Sequence, residues 1–451
     1  MPNVAGKDGP GKRATTVGPM TRGRRRRVLA GAAALLVTAG TLAGCGGESG
    51  GASTLTWYIN VDAGGQTEIA ARCSEASGGK YTIETSILPR DASSQREQLI
   101  RRLAANDSSI DIMSLDPPFI PEFAEAGFLA PVPEDVAERV TQDVVQSAID
   151  GSTWNGELVT VPFWANTQVL WYRKSVAEAA GLDMTQPVTW EQIVDAAESQ
   201  GKLVGAQGAR AESLTVWFNA LIESAGGSII AEGSDDPEQI KLGLDTPEAE
   251  RAAEIMRLVA DSDAAGAAFS TSTEDTSATG LESEDGGFNV NYPFVYQRAL
   301  SAVEAGTMDA SVPADYAAAV YPRVDEDTEA APPYGGINLG IGAFADSPEL
   351  AYEAAECIVE DENQAFYFLD SGNPASATSV FDDPEILEKF PMAPVIRESL
   401  ELAVPRPQTP YYNEISVGIQ RSYHPPGSVS ASSGERANDL ITAVLAKEDL
   451  L

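Results

Sequence analysis

Strand-like and helix-like segments alternate from residue 54 onward, and this order constrains the fold more than any other feature. The β-rich "TLTWYIN" (54–60) precedes a helical pattern at 67–76, and the alternating "YTIETSIL" (81–88) precedes another at 94–105. A third run, "IDIMSL" (110–115), ends where "DPPF" breaks it. A β-α-β-α-β order predicts a mostly parallel sheet with helices on its faces.

The ends of these strands locate the first candidate binding residues. Ligands of such sheets gather at the carboxyl ends of the strands. Asn60 and Asp62 follow the first strand and Asp116 follows the third, so all three are expected on one rim. The later "GIGAFA" (340–345) mimics a dinucleotide-binding fingerprint, but it lies within a strand pattern and no helix opens at its second glycine. We interpret it as a strand with small residues.

The first 44 residues have the pattern of an export signal. Arg24 to Arg27 precede an uncharged apolar run at 28–42, which is too short for a stop-transfer helix. The run ends in "LAGC" (42–45), which resembles the bacterial lipobox, whose cysteine is diacylated. We therefore expect a signal peptide at 1–44, a lipid anchor at Cys45 on the outer face of the cytoplasmic membrane and a flexible tether at 45–53. A plain secreted or soluble protein is the alternative, and the Sec and twin-arginine routes both stay open.

Charge narrows the classes of partner. Residues 45–451 carry 22 basic and 66 acidic side chains, a net charge of −44 with histidine neutral. Such a surface repels nucleic acid and anionic lipid head groups, and it disfavours an anionic substrate. His424 is the single histidine, so a histidine-rich zinc site is excluded and neither a metal nor a cofactor is expected. The sequence has no P-loop motif for nucleotide hydrolysis.

The two cysteines after Cys45 are expected to form a disulfide. They are Cys73 and Cys357, each in a helix-like segment. Outside the cytoplasm, a pair is the expected count for one bridge. Such a bridge would mean that the chain returns to its first lobe, which implies two lobes with several crossings and a cleft between them. Two separate buried thiols are the alternative.

Two further segments carry local predictions. The Ser/Thr/Asp/Glu-rich "STSTEDTSATGLESEDGG" (270–287) is predicted to be a loop. The run "INLGIGAF" (337–344) is predicted to be a strand that follows Gly335 and Gly336. The remaining middle third is helical and acidic.

Six blocks of sequence resemble the solute-binding proteins of carbohydrate ABC importers. They are "DIMSLDPPFIPEFAEAGFLAPV", "VPFWANTQVLWYRK", "VWFNALIESAGGSI", "VNYPFVY", "PYGGINLGIGAF" and "VPRPQTPYYNEIS". Within that family the blocks are most similar to the trehalose-binding lipoproteins of mycobacteria. The resemblance implies an α/β, two-lobed periplasmic-binding-protein-like fold (type II-like) with the ligand cleft between the lobes. The implied segments are lobe 1 at 54–165, mainly lobe 2 at 166–332, a return to lobe 1 at 333–380, and C-terminal helical segments shared between the lobes at 381–451.

The resemblance also implies a sugar site on the cleft rim. Carboxylates, amides and arginine bind hydroxyls and ring oxygens, aromatic rings cover the C–H face of a pyranose, and glycines let the backbone approach. The implied set is Asp116, Trp164, Asn166, Trp217, Glu274, Tyr292, Gly335, Gly336 and Arg406. The alternative places the aromatic residues in the core and the acids on the solvated surface. Rim residues of this kind are expected to carry little packing.

This sequence departs from the family pattern in three places. Tyr292 stands where the relatives usually have tryptophan. "ESEDGGF" (282–288) replaces their helix-forming block, so the acidic contact is either Glu274 or Asp275. The first loop, "NVDAGGQ" (60–66), also differs; it supplies Asn60, Asp62 and Gln66 as contacts.

The resemblance implies a monomer without enzymatic activity that captures a neutral disaccharide. Trehalose is the first candidate for that disaccharide. Hinge closure would hold the sugar, which would pass to separate permease subunits and a cytoplasmic ATPase. One alternative is a surface glycoside hydrolase, which needs two carboxylates about 5 to 9.5 Å apart. Another is a binder of a different solute on the same fold.

Overall fold

The structure is a computed structural model that describes residues 52–451. The predicted signal peptide at 1–44, the lipidation site at Cys45 and nearly all of the tether at 45–53 lie outside the described residues. Within residues 52–451, no helix is both long and apolar enough to cross a membrane.

Strands and helices alternate along most of this length. The strands are β1 (Ser53–Ile59), β2 (Tyr81–Ile87), β3 (Ile112–Leu115), β4 (Thr153–Trp154), β5 (Glu157–Leu158), β6 (Val161–Thr167), β7 (Val169–Arg173), β8 (Leu203–Gly205), β9 (Ile230–Glu232), β10 (Lys241–Leu242), β11 (Gly286–Asn291), β12 (Tyr316–Ala319), β13 (Pro333–Ile341) and β14 (Val404–Pro405). The α-helices are α1 (Gly65–Ala76), α2 (Ala92–Leu103), α3 (Ile120–Glu125), α4 (Glu134–Val140), α5 (Gln146–Asp150), α6 (Lys174–Ala180), α7 (Trp190–Gln200), α8 (Glu212–Ser224), α9 (Pro247–Asp261), α10 (Glu274–Glu282), α11 (Phe294–Glu304), α12 (Ser311–Ala314), α13 (Pro348–Ile358), α14 (Asp361–Ser371), α15 (Pro384–Lys389), α16 (Ala393–Glu401), α17 (Tyr412–Tyr423) and α18 (Ser432–Leu445).

The first sheet is built on the predicted β-α-β-α-β unit. Strand β1 lies between β2 and β3 and pairs parallel with both. Strand β13 then joins the sheet from much later in the chain; it pairs antiparallel with β3 and β6 and parallel with β14. The prediction of a mostly parallel sheet is therefore confirmed, with β13 and β14 running against the other strands.

The second sheet has the order β12-β7-β11-β8. The chain reaches it directly from the first sheet, because only Gln168 separates β6 from β7. Helices α7, α8 and α9 contribute Trp190, Trp217 and Met256 to the hydrophobic core beside this sheet, and all three side chains are buried. The first sheet has its own core, where Trp57 and Phe163 pack edge to face with ring centroids 5.7 Å apart.

Helix α17 packs against both bodies of the molecule, of which the first is built on the first sheet and the second on the second sheet. At its first residue, Tyr412 packs edge to face on Phe119, 5.3 Å between centroids, within a core cluster that includes strands of the first sheet. One and two turns later, Ile415 and Ile419 belong to the core of the second sheet. Tyr423, at the other end of the helix, lies 4.2 Å from the ring of Phe218. This helix therefore connects the two sheets through its apolar face.

The predicted disulfide is present between Cys73 of α1 and Cys357 of α13. The two Cα atoms are 5.8 Å apart and the residues are separated by 284 positions in sequence. Asn363 donates its side-chain amide to the Cys357 carbonyl at 2.8 Å. The bridge ties the beginning of the described chain to a helix that follows β13, so the chain does return to its first sheet.

The prediction of a loop over 270–287 is wrong, because this segment contains α10 and the start of β11. Thr273 begins the helix with a reciprocal cap: its hydroxyl accepts from the Thr276 backbone, and the Thr276 hydroxyl accepts from the Thr273 backbone. Ala278 and Leu281 are buried against the core. A segment of mostly polar composition therefore folds as a helix that is capped at Thr273 and anchored by two buried apolar side chains.

Candidate ligand-binding site

Strand β13 brings Asp116 and Arg406 together. Its C-terminal half pairs antiparallel with β3 and its N-terminal half pairs parallel with β14, so these two strands run towards each other along one edge. Asp116 is the residue after β3 and Arg406 is the residue after β14. Their side chains meet in a two-point ion pair, with Arg406 Nη1 3.1 Å from Asp116 Oδ2 and Nη2 2.5 Å from Oδ1.

The opposite edge of β13 adds Asn166 to this group. Strand β6 pairs along that edge, and Gly335 lies directly opposite Asn166. The Asn166 side chain is 5% exposed, and its Oδ1 accepts from the Thr167 backbone N–H at 3.0 Å. The register of β13 thus places Asp116, Arg406 and Asn166 around the same short stretch of strand.

Two glycines of β13 allow close approaches, Gly336 to the neighbouring strand and Gly335 to an aromatic side chain. The sequence predicts a strand that begins after these two glycines. In the structure both glycines lie inside β13. Gly336 has φ +118°, and a Cβ there would lie 2.2 Å from the Trp164 carbonyl oxygen, so the close approach of the two strands requires glycine. A Cβ on Gly335 would lie 3.9 Å from the ring and hydroxyl of Tyr292. The Tyr292 ring therefore reaches Gly335.

Tyr292 extends the site to the second sheet. It is the residue after β11, and its carbonyl accepts from the indole N–H of Trp171 on β7 at 3.2 Å. Burial raises the pKa of the Tyr292 hydroxyl, and the positive charge of Arg406 opposes that shift. The group around β13 is therefore completed by a residue from the other body.

The structure adds one residue that sequence reasoning missed, Glu212. It begins α8, is 8% exposed, and accepts from Arg406 Nη1 at 2.7 Å. The Tyr412 hydroxyl donates to the same carboxylate oxygen, and the Ser416 hydroxyl donates to the other at 2.6 Å. The available signal was a single acid at the start of an otherwise largely apolar helix, but its partner could not be read from the sequence.

The charges in this group do not favour an anion. Burial raises the pKa of Glu212, although the nearby Arg406 opposes that shift, and burial also raises the pKa of Glu274. Burial alone would lower the pKa of Arg406, but the negative charge of Asp116 holds it well above its ordinary value. One protonated guanidinium thus faces several carboxylates. In the described part of the chain, no cluster of His, Cys, Asp and Glu is arranged to hold a metal ion.

Glu274 and Asp275 differ in their surroundings. Glu274 is half-buried in the first turn of α10, and the Asn291 amide donates to its backbone carbonyl at 2.9 Å. Asp275 is exposed and pairs with Arg90 at 3.2 Å and with Arg298 at 3.4 Å. Of the two acids, Glu274 is therefore the less exposed and Asp275 the more exposed.

A family model described as "Bacterial extracellular solute-binding protein" matches residues 74–365. The chain belongs to this family. A curated relative, the "Probable ABC transporter-binding protein" of Deinococcus radiodurans, is 22% identical over 356 residues, which are 74% of this chain and 79% of the relative. A "Mannitol-binding protein" of Pseudomonas aeruginosa is 28% identical over 98 residues, 22% of each chain.

Solved structures of other solute-binding proteins share the fold. Maltose-bound T. maritima MalE3 has a TM-score of 0.75 at 23% identity, covering 87% of this chain and 100% of that one. The GacH receptor of Streptomyces glaucescens has a TM-score of 0.73 at 17% identity, covering 88% of this chain and 100% of that one. At these identities the likeness shows the fold alone, and it confirms the predicted two-lobed α/β architecture.

In this solute-binding protein the first loop is held by its own side chains. Asp62 accepts from the backbone N–H groups of Gly64 and Gln66, each at 2.9 Å. Asn60 donates its amide to Gln95 at 3.1 Å. Oδ1 of Asn60 and Oε1 of Gln66 are buried without a partner among residues 52–451. The loop follows β1, the parallel neighbour of β3, so it lies on the rim predicted for it, and its ligand contacts stay a prediction.

The two tryptophans of the predicted set have different environments. Trp217 is fully buried in the core of the second sheet, 5.8 Å between ring centroids from both Trp190 and Phe269. The core alternative therefore holds for Trp217, and its assignment to the rim is wrong. Trp164 is half-buried on β6, 6.3 Å from the ring of Tyr367, and its indole N–H finds no acceptor within the described residues.

Proposed function

We propose that this protein is an extracytoplasmic lipoprotein that captures a neutral sugar for an ABC importer. The sugar is trehalose or a closely related α-linked disaccharide. The single observation that carries this proposal is the Asp116–Arg406 pair, which lies beside Asn166 and Gly335 of the first sheet and near Tyr292 of the second.

The chemistry of this group suits a neutral, hydroxylated ligand. The carboxylate of Asp116 and the amide of Asn166 have capacity for further hydrogen bonds to hydroxyls. The Nε–H of Arg406 is buried and lacks an acceptor among the residues described, so a sugar oxygen would satisfy it. The Tyr292 ring offers a face to a pyranose. Glu274, the less exposed acid, is a better candidate than Asp275 for a further acceptor.

The relatives support a sugar or polyol as the class of ligand. The MalE3 structure is maltose-bound, the GacH receptor was solved in complex with acarbose, and the Pseudomonas relative is a mannitol-binding protein. The choice of trehalose among such ligands comes from the sequence blocks that resemble trehalose-binding lipoproteins.

Capture would proceed by closure of the two lobes. Site residues come from both sheets, so a ligand makes its full set of contacts only when the sheets approach each other, and this difference in affinity favours the closed form. The proposed hinge lies where the chain crosses between lobe 1 (54–165 and 333–380) and lobe 2 (166–332). The captured sugar then passes from a monomeric binder to permease subunits, and a separate cytoplasmic ATPase supplies the energy.

A ligand screen tests the proposal. Thermal unfolding is followed with trehalose, maltose, mannitol and glucose. Trehalose and maltose are also incubated with the folded protein and then assayed for free glucose. We expect a saturable rise in melting temperature with trehalose and intact sugar at the end. Release of glucose would instead indicate a glycoside hydrolase, and stabilisation by a different solute alone would replace trehalose as the ligand.

The anchor is tested separately. Cys45→Ala is expected to abolish acylation and lipoprotein-type processing, because the cysteine sulfur of the lipobox is the atom that receives the diacylglycerol. Membrane fractionation and mass spectrometry of the mature protein provide the measurement. A variant that still partitions with the membrane as a diacylated species would rule out Cys45 as the anchor.

A further inference from the structure

We propose that Glu212 is a positioning residue for the ligand, which fixes the guanidinium of Arg406 from the side opposite to the sugar and links it to α17. This inference rests on the proposed function, since it assigns a role to a residue that supports the same site. Glu212 is not part of the resemblance to the family, and it acts only through Arg406.

The donors of Arg406 are divided among distinct acceptors. Nη1 and Nη2 form the fork that Asp116 occupies, and Nη1 has a second proton that reaches Glu212. The Nε–H remains without a partner in the described structure although it is buried. A guanidinium is planar, so acceptors at two positions fix both its location and the direction of the remaining N–H. Glu212 and Asp116 together therefore fix where the free donor of Arg406 lies.

Helix α17 holds the Glu212 carboxylate at both oxygens. The Tyr412 hydroxyl donates to Oε1 and the Ser416 hydroxyl donates to Oε2, one turn further along the same helix. Ser416 is itself held by Thr215, whose hydroxyl lies 2.9 Å away, and by the Gln420 amide at 3.0 Å. All of these side chains are buried, so water does not screen the contact as it would on the surface.

The contact between Glu212 and Arg406 also joins the two bodies of the molecule. Glu212 begins α8, which belongs to the second body, whereas Asp116 directly follows β3 of the first sheet. Arg406 therefore binds one acid from each body. Tyr412 repeats this relationship, because its ring packs against Phe119 of the first body while its hydroxyl reaches Glu212.

The test measures trehalose affinity by calorimetry in five variants, the Arg406→Lys background among them, together with their melting temperatures without ligand. Glu212→Gln keeps the shape and removes the charge, and we expect about fivefold to twentyfold weaker binding. Tyr412→Phe removes only the hydroxyl and should weaken binding about twofold to fivefold. In an Arg406→Lys background, where an ammonium lacks the planar fork, Glu212→Gln should change affinity less than twofold. The control is Glu191→Gln, a more exposed carboxylate that pairs with Arg251 at 2.5 Å between α7 and α9, and it should bind as wild type.

The outcomes separate this inference from the proposed function. Wild-type protein that binds no neutral sugar would overturn both. Wild-type binding together with unchanged affinity in Glu212→Gln would overturn the positioning role alone. An equal loss with and without Arg406 would also overturn it, because the effect would then be structural. Should Glu212→Gln fail to fold, unchanged affinity in Tyr412→Phe would be the contradicting result.

Discussion

Asp116 and Arg406 are 290 residues apart in sequence, yet their side chains form a two-point ion pair beside β13. The pair exists because β3 and β14 approach each other along one edge of that strand. Arg406 is 4% exposed and also contacts Glu212. The expectation that rim residues carry little packing is therefore wrong for this arginine.

Replacing Arg406 should destabilise the ligand-free protein. Arg406→Ala leaves two acids enclosed without their cation, and loss of one partner from a buried ion pair costs about 3–5 kcal/mol. Denaturant unfolding without sugar measures this change. Glu250→Ala on α9 is the control, since its side chain is exposed and the expected change is within about 0.5 kcal/mol. An Arg406→Ala variant as stable as the control would contradict the structure of the ion pair.

Removal of the disulfide by substitution should lower the free energy of unfolding. The bridge between Cys73 and Cys357 closes a loop of 284 positions, and the chain-entropy model assigns such a loop about 5 kcal/mol, with measured values often smaller. Cys73→Ala/Cys357→Ala is compared with wild type in denaturant, both under oxidising conditions. Mass mapping without reductant should find one linked peptide pair. Two free thiols in the native protein would contradict the bridge.

How far the sequence predicts this fold depends on how local the determining interactions are. The alternation from β1 to β3 is a local pattern, and it predicts the first sheet correctly. Helix α10 is missed because its composition is that of a loop, and its stability depends on burial of Ala278 and Leu281 against a core that only the folded chain supplies. Local composition therefore fails where a few tertiary contacts decide the structure.

The site shows the same limit. The positions of Asp116 and Asn60 follow from the rule that ligands gather at strand ends. The approach of Arg406 and Asn166 to one stretch of β13 depends on strand register between distant segments, which periodicity does not contain. Glu212 escapes notice for the same reason, because its significance comes from a partner far away in sequence.

The exposed pair between Arg90 and Asp275 should strengthen sugar binding only at low salt. Arg90 follows β2 of the first sheet and Asp275 lies on α10, which packs beside the second, and the two side chains are 73% and 57% exposed. In the structure, Arg90 Nη1 lies 3.2 Å from Asp275 Oδ2, so the pair joins the two sides of the molecule. Arg90→Gln should weaken binding by about twofold to fivefold in dilute buffer, and salt of about 1 M should erase the difference. Calorimetry at two salt concentrations checks this, and a loss that persists in high salt would contradict an electrostatic role.

Stability should rise as the pH falls through the range in which Glu223 titrates. Burial raises the pKa of Glu223 to about 7, so its ionisation opposes folding fully above that pH and progressively less down to the ordinary value near 4.3. Glu223→Gln should therefore stabilise the protein by about 1–3 kcal/mol at pH 8 and by much less at pH 5. Denaturant unfolding at both pH values is the measurement. An equal gain at both would show that burial of the charge is not the cause.

Calorimetric titration of trehalose into wild-type protein and Asp116→Ala tests the central claim most directly. A hydrogen bond that a charged carboxylate accepts from a hydroxyl is worth about 1.5–3 kcal/mol, so the variant should bind roughly tenfold to a hundredfold more weakly. Glu250→Ala should bind as wild type. Saturable binding by wild type with this loss in Asp116→Ala would support a sugar site at the Asp116–Arg406 pair. Wild-type affinity in a well-folded Asp116→Ala variant, or no binding of sugar by the wild type, would contradict it.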